Sequence, residues 1–399
     1  MLRTEDRAGS DAWRSARVSR HGLDVDGARW VIPRFVRTKV VVTGANGFIG
    51  SHLVDRLLAG GDAVRAMVRA SANLDNLADA LARADARPEL VRAALTDVDA
   101  MAAAFDGADI VYHVAGLTAA FTRDEFARAN AAGVANVLAA IRQAPRRPRR
   151  LVYVSSLMAA GPSHPEVARR EHHAPQVGYT LYGDSKLDGE RLVFAAARAG
   201  DVEAVIVRPP AVYGPRDLDM LQMIRSAKYG VIAQPGLRPA WMSFIHALDL
   251  VEGIARAGAR GRPIPRDGEH VLADQGCPFD HVPEDISHPA GAGIYYLTDG
   301  QRSTVVEFGR AAAAALGRRA LALPMPQVAV WTVAGINHAI GRLRGKAPAL
   351  TLDKARGSMA PGWWCDDSRA VRELDYAPQW PLARGLEHTV AWARSVGRL

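Results

Sequence analysis

A short β-branched run, Lys39–Thr43, passes directly into the glycine-spaced turn Gly44-Ala45-Asn46-Gly47-Phe48-Ile49-Gly50, and a helical apolar pattern begins at Phe48. Few folds accept that junction. Gly44 can turn the chain at φ values closed to other residues, and Gly50 lets the helix pack closely on the strand. Gly47 lets the backbone approach a bound pyrophosphate, which would lie at the helix N-terminus where free N–H groups and the dipole favour anions. A glycine triplet alone is weak evidence; strand before it and amphipathic helix after it are the context that gives it meaning. Gly44, Asn46, Gly47, Phe48, Ile49 and Gly50 are therefore the candidate cradle of a dinucleotide.

The surrounding pattern agrees. The helix is expected over Phe48–Leu58, with Ile49, Leu53, Leu57 and Leu58 on one side. Strands are expected at Val64–Val68, Leu90–Ala93, Asp109–Val114, Leu151–Ser155 and Val205–Val207, with helical segments between them. Alternating strand and helix predicts an α/β fold, a Rossmann-type doubly wound parallel sheet with helices on both faces. After Pro209 the alternation breaks down. The sequence divides into a weakly ordered extension at 1–38, a dinucleotide-binding domain at 39–215 and a smaller substrate-binding region at 216–399, the last interleaved with late strands of the large sheet. Within the last, 258–292 reads as a long Gly/Pro/Asp/His-rich surface loop.

Composition excludes other classes. Of 399 residues, 49% are apolar and 23% charged, ordinary values for a globular protein. No stretch reaches the ~18 apolar residues of a membrane span. Residues 1–38 carry eight arginines against five acids and lack the apolar core of a secretory signal. Two cysteines, Cys277 and Cys365, allow no disulfide framework, and a reducing cytoplasm is the expected compartment. His270, Cys277, His281 and His288 are metal-ligand types whose spacing fits no compact zinc pattern, so no metal is expected. The net charge of +8 comes mostly from scattered arginine, only five of the 50 basic residues being lysine. No basic run is interleaved with aromatics, and nucleic acid is not an expected partner.

The end of the second strand bears on the cofactor. NAD sites usually place Asp or Glu there, whereas Arg suits the extra phosphate of NADP. Here the sequence is Val68-Arg69-Ala70-Ser71, with no acid until Asp75. Arg69 could form a forked contact to that phosphate, so NADP(H) is favoured over NAD(H); the alternative is one more solvated arginine.

Tyr182-Gly183-Asp184-Ser185-Lys186 supplies chemistry. Moving a hydride to or from a carbinol carbon requires moving a proton on its oxygen. A free tyrosine titrates near pH 10, too high for a base at neutral pH, but a lysine four residues along a helix shares its face and favours the phenolate. Tyr179 competes for the role but lies seven residues from Lys186. His113 reads as a satisfied residue at a strand end.

The G-x-x-G-x-x-G turn and the Tyr-x-x-x-Lys segment together resemble the extended short-chain dehydrogenase/reductase superfamily, including the NAD-dependent epimerase/dehydratase family. The resemblance continues through Tyr112-His113-Val114-Ala115-Gly116, Val154-Ser155-Ser156, Arg208-Pro209-Pro210-Ala211-Val212-Tyr213-Gly214, Phe244-Ile245-His246 and Trp364-Cys365-Asp366-Asp367. It spans about residues 39–397. It implies that Tyr182 is the acid/base, that Lys186 also holds the nicotinamide ribose, and that Ser156 rather than Ser155 holds the substrate oxygen. It further implies cofactor contacts at Ala115, Gly116 and Pro209, Asp97 near the adenine, and Asn130 as structural support. A homodimer through the helices carrying Asn130 and Tyr182 is usual for such proteins.

Details select a branch. Dehydratases of this kind place Asp-Glu after the active-site hydroxyl residue; here stand Leu157-Met158. Sugar-nucleotide members commonly carry Asn where this chain has Ala211. These replacements suggest an apolar substrate, and Arg208-Pro209 followed by Val212-Tyr213-Gly214 is similar to the 3β-hydroxysteroid dehydrogenase-like branch, so a hydrophobic, steroid- or polyketide-like substrate is expected. A sugar-nucleotide epimerase with tightly bound NAD and a non-catalytic NADP-binding regulator are the alternatives. The apolar stretch 323–343 is expected to be a helix packed on the core, with peripheral membrane contact or a greasy substrate entrance as further readings.

Overall fold

Seven strands form one wholly parallel sheet, in spatial order Glu89–Arg92, Ala63–Val68, Lys39–Thr43, Ile110–His113, Arg150–Val154, Glu203–Arg208 and Ile294–Tyr296. The computed structural model of the chain describes residues 37–238, 240–267, 291–345, 347–348 and 350–399.

The central strand shows why its residues are almost all β-branched. Val40 and Val42 face one core, with Leu53, Leu57 and Leu58 of the Phe48–Ala59 helix and Leu250, Val251 and Ile254 of the Ala247–Arg260 helix. Val41 faces the opposite core, with Phe105, Val137, Ile141, Val193 and Phe194. A parallel strand covered on both faces needs apolar residues at every position rather than at alternate ones. Sheet order reverses at Lys39–Thr43, whose neighbours are the second and fourth strands in the chain. Ligands of open α/β sheets bind at the carboxyl ends of strands at such a reversal.

Beyond residue 208 a second sheet forms around Trp241–His246, which pairs with Ala211–Tyr213, Arg302–Thr304 and Gly362–Trp363. A two-stranded parallel ribbon joins Val231–Pro235 to Leu321–Met325. A third core fills the space among the helices Met220–Lys228, Val305–Ala315 and Leu382–Ser395.

Three expectations need correction. Late strands of the large sheet are expected within 216–399, but Ile294–Tyr296 is not picked out by residue; its three residues are wholly buried and too few to show a period. The apolar stretch from 323 is not all helix, because Leu321–Met325 is a strand and the helix starts at Gln327, behind Pro326. Proline lacks an N–H and fits a helix start rather than its interior. The loop placed at 258–292 starts too early, since the preceding helix runs to Arg260; Ile264 is buried and its N–H bonds the Ala204 carbonyl at 2.8 Å. Residues 268–290, with His270, Cys277, His281 and His288, lie outside the described residues. Among the described residues no helix is long and apolar enough to cross a membrane, and no group of side chains could hold a metal ion.

Candidate active site

The glycine turn adopts the geometry its spacing predicts. Gly44 has φ +67°, and a Cβ there would lie 2.8 Å from the Ala115 Cα. A Cβ at Gly50 would overlap the Gly44 carbonyl oxygen. The Phe48–Ala59 helix begins at Gly47 with no side-chain cap and no acidic residue in its first turn. Its leading N–H groups thus have no side-chain acceptor at the carboxyl end of the central strand, and the residues present fit an anionic dinucleotide. Asn46 braces this turn, its side-chain amide donating to the Asn73 carbonyl at 3.0 Å while its own carbonyl accepts from Asn76 at 3.1 Å.

Ser156 and Tyr182 arrive from different elements. Ser156 follows the Arg150–Val154 strand and caps the short Leu157–Ala160 helix, its oxygen accepting the Met158 N–H at 3.2 Å. Tyr182 stands in the first turn of the Leu181–Arg198 helix, which Thr180 caps through the Gly183 N–H at 3.0 Å. Gly183 permits the close approach, since a Cβ there would overlap the Met158 carbonyl oxygen. Burial pushes the Tyr182 phenol up, and the Ser156 hydroxyl acts the other way.

Lys186 lies one turn on, fully buried. Its Nζ donates to the Val154 carbonyl at 2.8 Å and sits 4.6 Å from the centre of the Tyr153 ring. Burial lowers its pKa to about 8, with the nearby Glu190 carboxylate opposing. The Nζ would lie 3.6 Å from a Cβ placed on Gly116, so that glycine keeps the space above the lysine open.

Asn130 occupies a π-helical turn, Ala127–Ala131. Its oxygen accepts the Leu117 N–H at 2.8 Å, and its amide donates to the Leu117 carbonyl at 3.1 Å and the Ser185 hydroxyl at 2.9 Å. It ties the Gly116 loop to the helix of Tyr182. His113 is satisfied by Thr43, Nδ1 to Oγ1 2.8 Å, and burial lowers its pKa to about 3.

Ser155, the neighbour that competed with Ser156, is committed elsewhere. Its hydroxyl donates to Glu190 at 2.5 Å, and Glu190 forms a two-pronged pair with Arg208 at 2.8 and 2.5 Å. Tyr179 packs against Trp363 with ring centres 5.7 Å apart. Leu157 is buried with Tyr296, Ala360 and Trp363, and Met158 packs at the edge of that cluster. Pro209 is buried and accepts the Leu157 N–H at 2.9 Å. Arg69 is exposed at the end of its strand, and Asp97 caps the Val98–Phe105 helix by accepting the Ala100 N–H at 3.0 Å.

One contact had no sequence signal. The Asp353 carboxylate accepts the N–H groups of Leu181 at 2.7 Å and Tyr182 at 3.1 Å. It reaches them from the first turn of the Leu352–Ser358 helix.

A wholly parallel seven-stranded sheet with a glycine turn at its reversal is the frame of a nicotinamide-dependent oxidoreductase of the extended short-chain type. The chain belongs to the NAD dependent epimerase/dehydratase family, whose family model matches residues 40–271. It is 28% identical over 365 residues to the ceramide reductase of Caulobacter vibrioides, covering 91% of this chain and 96% of that one. It is 28% identical to a 4-hydroxy-2-methyl-3-oxo-4-farnesyl-3,4-dihydroquinoline-1-oxide ketoreductase of Stigmatella aurantiaca, with coverages of 88% and 95%. A 3 beta-hydroxysteroid dehydrogenase/Delta 5-->4-isomerase of Mycobacterium tuberculosis is 27% identical, with coverages of 87% and 88%. Among solved structures, the UDP-glucuronic acid 4-epimerase of Bacillus cereus superposes with a TM-score of 0.67 at 19% identity, covering 90% of this chain and all of that one (100%). That likeness is one of fold.

Proposed function

We propose that the protein is an NADP(H)-preferring reductase or dehydrogenase acting on a secondary alcohol or ketone of a hydrophobic substrate, with Tyr182 as the acid/base. The observation that carries this reading is the Tyr182 phenol, on which the Ser156 hydroxyl acts, with buried Lys186 one helical turn on. When bound, the nicotinamide supplies or accepts the hydride. Tyr182 gives a proton to the carbonyl oxygen in reduction, or takes one from the hydroxyl in oxidation. Ser156 holds that oxygen, and Lys186 in its protonated form favours the phenolate.

Gly44, Asn46, Gly47, Phe48, Ile49 and Gly50 would hold the pyrophosphate, with Tyr182 and Lys186 at the ribose. Ala115, Gly116 and Pro209 would wall the nicotinamide end, and Asp97 the adenine end. Arg69, unobstructed at its strand end, supports the phosphate of NADP. The apolar substrate is supported by Met158 and Ala211 and by the substrates named for the relatives, a ceramide, a farnesyl quinoline and a steroid. Residues 216–399 would supply most substrate contacts, and a homodimer through the helices Ala132–Gln143 and Leu181–Arg198 completes the reading.

The test is turnover of a panel of hydrophobic ketones and alcohols with NADPH, NADH and their oxidised forms, on wild type and Tyr182→Phe. The expected result is cofactor consumption with a lipophilic ketone, lost in Tyr182→Phe. Interconversion of a UDP-sugar without net cofactor consumption overturns it.

A further inference from the structure

The helix Gln327–Leu343 is apolar on two opposite sides. Val330, Ala334 and Gly341 face inward, the first two meeting Ala355 and Met359. At about 100° per residue, Val328, Ile336, Ile340 and Leu343 fall on the other side. They are exposed: 77% for Val328, 56% for Ile336 and 89% for Leu343. Trp331 and Val333 border this arc and are also exposed. Thr332, its polar intruder, turns its hydroxyl back to the Val328 carbonyl at 2.8 Å. The preceding strand continues the pattern, with Leu321 and Leu323 exposed beside Val231. An outward apolar face of this extent is unusual on a free surface.

Charge decides what covers it. The sequence has no acidic residue between Glu307 and Asp353, nor any between Asp219 and Asp249. Arg318 and Arg319 stand exposed before the strand, Arg342 and Arg344 at the end of the helix, and Arg225 and Lys228 on the neighbouring Met220–Lys228 helix. A second copy seated on this face would bring arginine against arginine with no acid to answer it. An anionic lipid surface answers both features, taking the apolar side chains into its acyl boundary and the cations at its headgroups.

We infer that this face docks on a membrane carrying anionic lipid, the helix lying in the plane of the interface. Arginine stems can spread over the acyl boundary while their heads stay at the phosphates. The placement has a consequence for the proposed reaction, on which the docking itself does not depend. His338 of the same helix meets the Phe121 ring edge-on at 5.2 Å, in the loop that follows Gly116. The mouth of the site thus opens beside the docked helix, and a lipophilic substrate could pass from bilayer to Tyr182 without crossing water.

The experiment is flotation of the full chain with vesicles of phosphatidylcholine alone or with one third phosphatidylglycerol, at low and high salt. Binding is expected to the anionic vesicles and to weaken with salt. Ile336→Glu combined with Ile340→Glu is expected to weaken it by roughly tenfold or more, and Arg342→Ser with Arg344→Ser to weaken it and flatten its salt dependence. NADPH affinity, measured on each variant, shows that the fold is intact. No binding to anionic vesicles at low salt overturns the inference, as does binding that the paired glutamates leave unchanged. Concentration-dependent dimerisation abolished by those same glutamates would assign the face to a second copy instead. None of these readouts requires a substrate, so failure here and failure of the proposed reaction are separate results.

Discussion

The Asp353 carboxylate accepts the backbone N–H of Tyr182 at 3.1 Å and that of Leu181 at 2.7 Å. Two of the unpaired donors at the start of the tyrosine's helix are thereby satisfied by a residue far along the chain, and the negative charge sits at the positive end of that helix. The short helix that carries Asp353 is itself fixed, by a Thr351 cap and by Lys354 reaching Asp219 at 2.9 Å. Tyr182 is held in register by the C-terminal part of the chain.

Asp353→Ala should therefore lower kcat by about tenfold, consistent with loss of a cap worth about 1 kcal/mol together with its charge. NADPH affinity should change little, because the glycine turn is untouched. Asp353→Asn keeps an acceptor and should recover part of the rate. Steady-state kinetics with separate cofactor titration reads both; equal loss of affinity and rate would assign Asp353 to general stability instead.

Gly50→Ala forces a methyl group into the Gly44 carbonyl. It should cost about 2–3 kcal/mol of stability and weaken dinucleotide binding. Gly335, in the interior of the Gln327–Leu343 helix, has open space where its Cβ would stand. Gly335→Ala should be neutral or stabilise by about 0.5–1 kcal/mol. Urea unfolding of the two variants side by side gives the contrast.

The pH dependence follows from Lys186. Burial brings its pKa to about 8, below the ordinary 10.5, so in the proposed reaction the ammonium that would favour the Tyr182 phenolate is lost above about pH 8. The rate should fall on that side, and Lys186→Arg, which keeps its charge, should move the limb upward at a lower maximum. The linked stability has the opposite sign. Between pH 8 and 10.5 the unfolded chain binds the additional proton, so this group's contribution to stability grows as pH rises through that window. pH–rate profiles and melting curves across pH 7–10 check the two signs independently.

Glu190 and Arg208 form a buried ion pair at 2.5 Å, both side chains almost wholly excluded from solvent. Glu190→Gln leaves the guanidinium buried without its counter-charge and should cost roughly 3–5 kcal/mol. It also removes the carboxylate that engages Ser155. A urea midpoint within error of wild type would contradict this account.

The half of the fold that the sequence reveals is the half built on repetition. Strands such as Val64–Val68 and Leu151–Ser155 are expected within a residue or two of where they lie, because each is a β-branched run bounded by helical periods. The choice of Ser156 over Ser155 was open to residue-type logic alone, and the structure separates the two through Glu190, which stands one turn beyond Lys186. Leu157, next to Ser156 in sequence, is itself part of the buried cluster. Asp353 was invisible because its partners are backbone N–H groups, which leave no mark on residue type. Ile294–Tyr296 is too short to show a period; what makes it a strand is its parallel pairing with Glu203–Arg208.

Among the described residues that last strand pairs only with Glu203–Arg208, itself completed long before Ile294 is made. A growing chain must therefore carry the edge of its principal sheet uncovered through some eighty further residues of synthesis, a span set by the ends of these two strands. An open edge carrying the apolar residues Ala204, Val205, Ile206 and Val207 invites pairing with other chains, and non-local closure of this kind is slow. Chains halted between the two strands should aggregate from the ribosome, whereas those reaching past Tyr296 should not, so the yield of soluble protein is decided late in translation rather than by the nucleotide-binding half.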